Sequence, residues 1–399
     1  MKDVTIFIYL DACRYDYISE ENTPFLFKLS QKGFISRVRT VAGFTQEAAM
    51  MTGKYPDETG YFTWYRYCPT KSPFLWTHKL RFLTNLRRLR FYYLVKVGIR
   101  TITKLITRKQ YPDPAFIPLN VLDHFDNIST SLPADLLTIP SICRLSKLRC
   151  FETETMYGFL GSKKCREILE PVISSIKEVD PYDLYLVHIG ELDSVGHKYG
   201  PHPGRFQGCL REIDSSIRDL WDATKARGLN CSIVVSSDHG MNDIIGLVDI
   251  ESRLKNLPLK VPRDYVYFLD STMARFWFQS ETARRLILRT LAEVPNGHVL
   301  SEAERTLLHI GQGKRDYGEV LFWVDKGYIV FPNFFQSLSQ SEVKGMHGYM
   351  DDNDGALVVY SERLSAENLV DNTVVPLIDI FPLVLRLAGI PQTQQITSG

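Results

Sequence analysis

Four runs of mostly apolar residues stop abruptly at a polar residue or glycine: VTIFIYL (4–10), LYLVHIG (184–190), CSIVVSS (231–237) and ALVVYS (356–361). Each has the length of a strand and lacks polar alternation, which is the pattern of a strand buried on both faces of a parallel sheet. Between them, apolar positions recur every three or four residues in PFLFKLSQKG (24–33), KCREILEPVISSIKEV (164–179) and RFQGCLREIDSSIRDLWDATKARG (205–228). That spacing predicts helices with one face on a core, the last ending on a glycine suited to a C-cap. Strands alternating with amphipathic helices predict an α/β fold with a mainly parallel central sheet flanked by helices.

Two stretches break this rhythm inside what reads as a single domain over 1–399. Residues 66–135 are rich in aromatic and basic residues and predict a cap-like insertion. Within it, KLRFLTNLRRLRFYYLVKVGIRTITKLITRK (79–109) carries ten Lys and Arg among apolar residues and predicts one or two basic amphipathic helices. Such helices either cap the core with solvated charges or make peripheral contact with an anionic membrane. Residues 255–345 contain ARFWF, the helical SETARRLILRTLAEV, VLFWV and YIVF, which predict a small α+β insertion.

Composition narrows the partners. The chain has 399 residues, 44% of them hydrophobic and 23% charged, with 47 Lys and Arg against 46 Asp and Glu. A balance this even gives no global field for nucleic acid, and no nucleic-acid-binding motif is present. The seven cysteines are scattered, odd in number and without a CxxC spacing, which predicts reduced thiols over a disulfide framework. The opening MKDVTIFIYLDACRYDY has an apolar run too short for a signal peptide, ended by Asp11 with no small-residue cleavage site. With no uncharged run near the roughly 20 residues that span a bilayer, the expectation is a cytoplasmic protein.

Polar residues at the strand ends bring in the chemistry. In an open parallel sheet, ligands bind just outside the carboxyl ends of the strands. Asp11 follows the first run, GELDSVGHKYGP brings Asp193 and His197 after the second, SDHG brings Asp238 and His239 after the third, and GMHGYMDDNDG places His347 before the fourth. Any one of these is most simply a turn, a cap or a surface residue. Together, three Asp and three His, with Asp193 and His197 spaced to share one helix face, match the inventory of a dinuclear metal site. Nitrogen and oxygen donors of this kind suit Zn²⁺, with Mn²⁺ where carboxylates dominate. Two such ions about 4 Å apart can clamp both oxygens of a phosphoryl transfer. His188, inside the second apolar run, is expected in the core with no role.

The ordered elements LDACRYDY, TGKYPDETG, ELDSVGHKYGP, SSDHGMND, GMHGY and PLIDIFPLVLRLAGIP resemble the alkaline phosphatase superfamily, most of all its nucleotide pyrophosphatase/phosphodiesterase branch. The resemblance implies an alkaline-phosphatase-like α/β fold with two divalent metal ions. One would be held by Asp193, His197 and His347, the other by Asp11, Asp238 and His239. It also implies a threonine nucleophile, which TVAGFTQEAAMMTGKYP offers as Thr45, with Thr40 as the alternative because Thr45 lies closer to the TG pair than in the family pattern. The implied reaction is hydrolysis of a phosphodiester or pyrophosphate bond in a phosphate-ester small molecule through a covalent phospho-threonine. A phosphotransferase using an alcohol acceptor and a non-catalytic metal-binding scaffold are the alternatives. The branch's usual phosphoryl-binding Asn is absent. Trp64 stands at that position, and Arg66 is the nearby cation expected to serve the substrate.

Overall fold

The computed structural model describes residues 2–88, 92–108, 112–128, 138–153, 163–310, 315–336, 343–350, 354–363 and 374–390. Parts of both insertions, at 89–91, 109–111, 129–137, 311–314 and 337–342, lie outside the described residues.

Seven strands form the main sheet, in the order Val374–Pro376, Phe34–Arg39, Gly355–Ser361, Asn230–Ser236, Asp3–Leu10, Leu184–Ile189 and Cys150–Glu152. Alternate side chains of Asp3–Leu10 go to opposite faces: Val4, Ile6, Ile8 and Leu10 to one apolar cluster, Phe7 and Tyr9 to the other. Helices Pro24–Ser30, Cys165–Ile176 and Arg205–Ala226 cover the first face, while Gln46–Thr52, Ile139–Leu145 and Ile380–Leu387 cover the second. Burial on both faces is why these strands read as continuous apolar runs instead of alternating ones.

One strand departs from the expectation. ALVVYS reads as a parallel strand, yet Gly355–Ser361 runs antiparallel to both its neighbours, Asn230–Ser236 and Phe34–Arg39. The other described pairings in the sheet are parallel. Reversal puts the start of this strand at the carboxyl edge of the others, where the Ala356 amide donates to the Cys13 carbonyl and the Ser237 amide to the Ala356 carbonyl.

The two insertions share one core. The hairpin pairing Tyr65–Tyr67 with Phe125–Asn127 draws the ends of the first insertion together. The predicted basic helices are a 3₁₀ segment, Leu75–Arg88, and an α-helix, Tyr92–Thr107. The second insertion forms an antiparallel four-stranded sheet in the order Tyr265–Leu269, Met273–Phe278, Val320–Val324 and Gly297–Val299, with helix Glu281–Ala292. Tyr67, Phe74, Ile99 and Phe125 from the first insertion pack into the same cluster as Phe268, Phe276 and Trp277 from the second. A fully buried ion pair within the second insertion also reaches across: Arg275 Nε donates to Asp270 Oδ2 at 2.7 Å, and its Nη1 donates to the carbonyl of Tyr65, at the mouth of the first insertion, at 2.9 Å.

Candidate metal centre

Each expected ligand arrives by a distinct local device. Asp11 ends the first strand, and the chain then turns sharply through buried Ala12 at φ 62°, a left-handed conformation that few non-glycine residues adopt. Asp193 and His197 sit four residues apart on helix Glu191–Tyr199, which starts where strand Leu184–Ile189 stops. Asp238 and His239 follow strand Asn230–Ser236, their loop held by the Ser237 hydroxyl, which donates to the His239 carbonyl and accepts from the Cys13 amide. His347 follows the two-residue strand Gly345–Met346, which pairs with Asn242–Asp243 just beyond His239.

All six converge. His197 Nε2 lies 3.3 Å from Asp193 Oδ1, and His347 Nε2 lies 3.9 Å from the same oxygen. His239 Nε2 lies 3.4 Å from both Asp11 Oδ1 and Asp238 Oδ2, and its ring stacks on His347 with centroids 3.7 Å apart. Ligand atoms of Asp193, His239 and His347 fall within 4.8 Å of one another, as do those of Asp11, Asp238 and His239. His239 thus belongs to both groups, and His197 flanks the first through Asp193.

The donor chemistry fits metal ions. Oδ1 of Asp11, Asp193 and Asp238 and Nδ1 of His347 are buried without a hydrogen-bond partner. Among the described residues no Lys or Arg pairs with any of these three carboxylates. Buried anions need a counter-charge, so the cluster is built for cations. Two histidines are pre-oriented: Nδ1 lies 2.9 Å from the Gly345 carbonyl in His197 and 3.0 Å from the Gly240 carbonyl in His239. A carbonyl only accepts, so each Nδ1 carries the proton and each Nε2 presents its lone pair to the cluster.

The electrostatics are those of a crowded, dry site. Burial raises Asp238 to about 7, with Asp11 adding to the rise. Burial would pull His197 down, but the Asp193 carboxylate outweighs it and pushes the imidazole up to about 9. His347 falls well below its ordinary value through burial and the neighbouring His239.

Residues not assigned from the sequence also reach this site. Tyr9 donates its hydroxyl to Asp238 Oδ2 at 2.8 Å and stacks on His188 at 4.4 Å. His188, expected in the core, instead has Nε2 3.6 Å from Asp11 Oδ2 at the edge of the cluster. Both lie inside apolar runs as register partners on adjacent strands, and that pairing is visible only once the sheet order is known. Burial raises Glu47, and the charge of Asp11 adds to the rise.

Thr45 begins helix Gln46–Thr52, and its side chain does not cap that helix. It lies between Glu47 and Phe44, whose ring meets His347 edge-on at 5.7 Å. Thr40, just past strand Phe34–Arg39, donates to the Val41 carbonyl. Trp64 lies edge-on to Phe335 at 5.7 Å and packs on the shared core of the insertions, while the partly exposed Arg66 has Nη2 3.7 Å from Asp126 Oδ2.

The chain, with its mainly parallel sheet, one reversed strand and six candidate Asp and His ligands at the carboxyl edge, is of the alkaline phosphatase superfamily. The chain belongs to the type I phosphodiesterase / nucleotide pyrophosphatase family, whose model matches residues 5–350. It is 22% identical over 249 residues to ectonucleotide pyrophosphatase/phosphodiesterase family member 7 of Rattus norvegicus, a match covering 60% of this chain and 50% of that protein. The chain therefore spans about half the length of the curated relatives it matches. In fold it is similar to human ectonucleotide pyrophosphatase/phosphodiesterase 5, with a TM-score of 0.68 at 15% identity over 98% of this chain and 96% of the other. The murine counterpart, solved as an inactive threonine-to-alanine variant in complex with AMP, matches with a TM-score of 0.66 at 15% identity over the same shares.

Proposed function

We propose that this chain is a metal-dependent hydrolase that cleaves a phosphodiester or pyrophosphate bond through a covalent phosphate on Thr45. The observation that carries the reading is the convergence of three Asp and three His, with partnerless buried oxygens, in a chain of this family. Asp193, His197 and His347 would hold one divalent ion and Asp11, Asp238 and His239 the other, as Zn²⁺ or Mn²⁺. Such a pair, when bound, neutralises the charge that builds on the transferring phosphoryl group.

The chain's own residues supply the rest. Thr45 Oγ loses its proton to solvent and bonds to phosphorus as the bond from phosphorus to the leaving oxygen breaks, and that oxygen takes up a proton from solvent. Water then adds to phosphorus, the bond to Thr45 Oγ breaks, and the hydroxyl is restored. The Nδ1–H bonds to the Gly345 and Gly240 carbonyls keep His197 and His239 aimed, and Tyr9 steadies Asp238. The AMP held by the murine neighbour supports a phosphate-ester small molecule as substrate. The scattered cysteines, odd in number and without a CxxC spacing, support the cytoplasm as compartment.

The test is turnover of chelator-stripped protein on nitrophenyl phosphodiester, phosphomonoester and sulfate, with Zn²⁺ or Mn²⁺ restored, beside Thr45→Ala. The expected outcome is metal-dependent, diester-selective turnover that falls by at least about 10³-fold in Thr45→Ala while metal binding is kept. An active Thr45→Ala protein would transfer the role to Thr40. Release of product only when an alcohol acceptor is supplied would make the chain a phosphotransferase, and tight metal binding without any turnover would make it a scaffold.

A further inference from the structure

The chain's near-neutral charge conceals a sharp asymmetry. Residues 59–112 contain twelve Lys and Arg and no Asp or Glu, which leaves 35 basic against 46 acidic residues in the remainder. The same stretch holds seven of the eleven large apolar side chains that stand exposed among the described residues, including Phe82 (77%), Tyr93 (67%), Leu94 (68%) and Leu105 (76%). Apolar exposure and positive charge coincide on one insertion.

Helix Tyr92–Thr107 presents three faces. Tyr92, Ile99 and Thr103 are buried against the shared core. Lys96, Arg100 and Lys104, each four residues on from the last, form a basic ridge beside that buried face, and Arg108 follows the helix. Lys96 is engaged by Asp113 at 3.4 Å, whereas Arg100, Lys104 and Arg108 are exposed with no ion-pair partner among the described residues. At 100° per residue, exposed Leu94 and Leu105 fall on the side turned away from the core, and exposed Ile102 flanks the buried face opposite the basic ridge. Clustered exposed apolar side chains of this size mark an interaction surface.

We propose that the helices Leu75–Arg88 and Tyr92–Thr107 dock this protein on an anionic phospholipid bilayer, lying in the interface without crossing it. Arginine and lysine meet the lipid phosphates while Leu94, Leu105 and Phe82 enter the acyl boundary. No helix among the described residues is long and apolar enough to cross a membrane, which fits surface docking. The occupant follows from charge and polarity together. A nucleic acid would satisfy the basic ridge but leave the leucines in water, and a second copy of this face would set two basic ridges against each other. The inference does not rest on the hydrolase reading, since its readout is binding.

The test uses the full chain and sedimentation with phosphatidylcholine vesicles, with and without phosphatidylserine, at low and high salt. Binding is expected only to the phosphatidylserine vesicles and should weaken as salt rises. The triple variant Arg100→Glu, Lys104→Glu, Arg108→Glu should bind on the order of 100-fold more weakly or worse. Leu94→Ser with Leu105→Ser should also lose vesicle binding, with an unchanged circular dichroism spectrum and melting temperature in both variants. Equal binding to both vesicles, no binding, or binding to heparin that survives the leucine changes without any vesicle binding would each overturn the proposal. So would a wild-type dimer that the leucine changes convert to a monomer without any vesicle binding.

Discussion

His197 and Asp238 must each lose a proton before they can hold a metal ion. His197 is pulled down by burial but carried up to about 9 by Asp193, and Asp238 is lifted to about 7 by burial. Below pH 7 both carry the proton, and above pH 9 neither does, so metal competes with protons throughout that window. Affinity for Zn²⁺ should therefore fall as pH drops from 9 towards 6, by roughly tenfold per unit for each proton displaced. Calorimetric titration in buffers of different ionisation enthalpy would reveal the released protons, and an affinity flat across this range would contradict the assignment. At this scale the sequence was informative where a polar residue interrupts an apolar run, as at Asp11, Asp193, Asp238 and His239. It was silent at Tyr9 and His188, because a side chain inside a buried strand looks like core until its register partner is known.

Among the elements, the contact between helix Glu191–Tyr199 and strand Gly345–Met346 governs how the first group of ligands meets. A Cβ at Gly345 would lie 2.5 Å from the Gly196 carbonyl oxygen, which is backbone and cannot swing aside. Gly345→Ala should push the strand from the helix, lowering stability by about 1–3 kcal/mol. It should also weaken metal binding at least tenfold, and denaturant melts beside metal titrations would separate the two effects; unchanged metal affinity would show that this close approach does not set the ligand geometry. The buried Arg275–Asp270 pair holds the guanidinium that also donates to the Tyr65 carbonyl, and burial pushes both groups towards neutrality, Asp270 up and Arg275 down. Arg275→Met should cost about 3–5 kcal/mol because Asp270 is stranded, and adding Asp270→Asn should recover part of that loss. Urea midpoints of the two variants would decide, and equal destabilisation would mean that the pair acts through packing alone. The close approach of Gly345 to Gly196 and the bond from Arg275 to the Tyr65 carbonyl are not written in a local pattern, since each joins segments far apart in the chain.

For the whole molecule, candidate ligands contributed by several separate strand ends would make metal binding a clamp on the folded state. At about 100 times its dissociation constant, a metal ion adds about 2.7 kcal/mol to stability. Melting temperature should rise on adding Zn²⁺ or Mn²⁺ to stripped protein and fall back with chelator. The rise should be much smaller in a His239→Ala variant, because His239 sits in both ligand groups, and an equal rise there would place the metals elsewhere. The sequence by itself determined the α/β class and the positions of the helices and most strands, and it named the six candidate ligands, because apolar periodicity and its interruptions are local properties of the chain. Only the tertiary structure decided that Gly355–Ser361 runs backwards. That direction is what carries His347, which precedes its strand, to the edge where the ligands that follow their strands are found. An apolar run reads the same in either direction, so strand polarity is set by the neighbours a strand pairs with and not by its own residues.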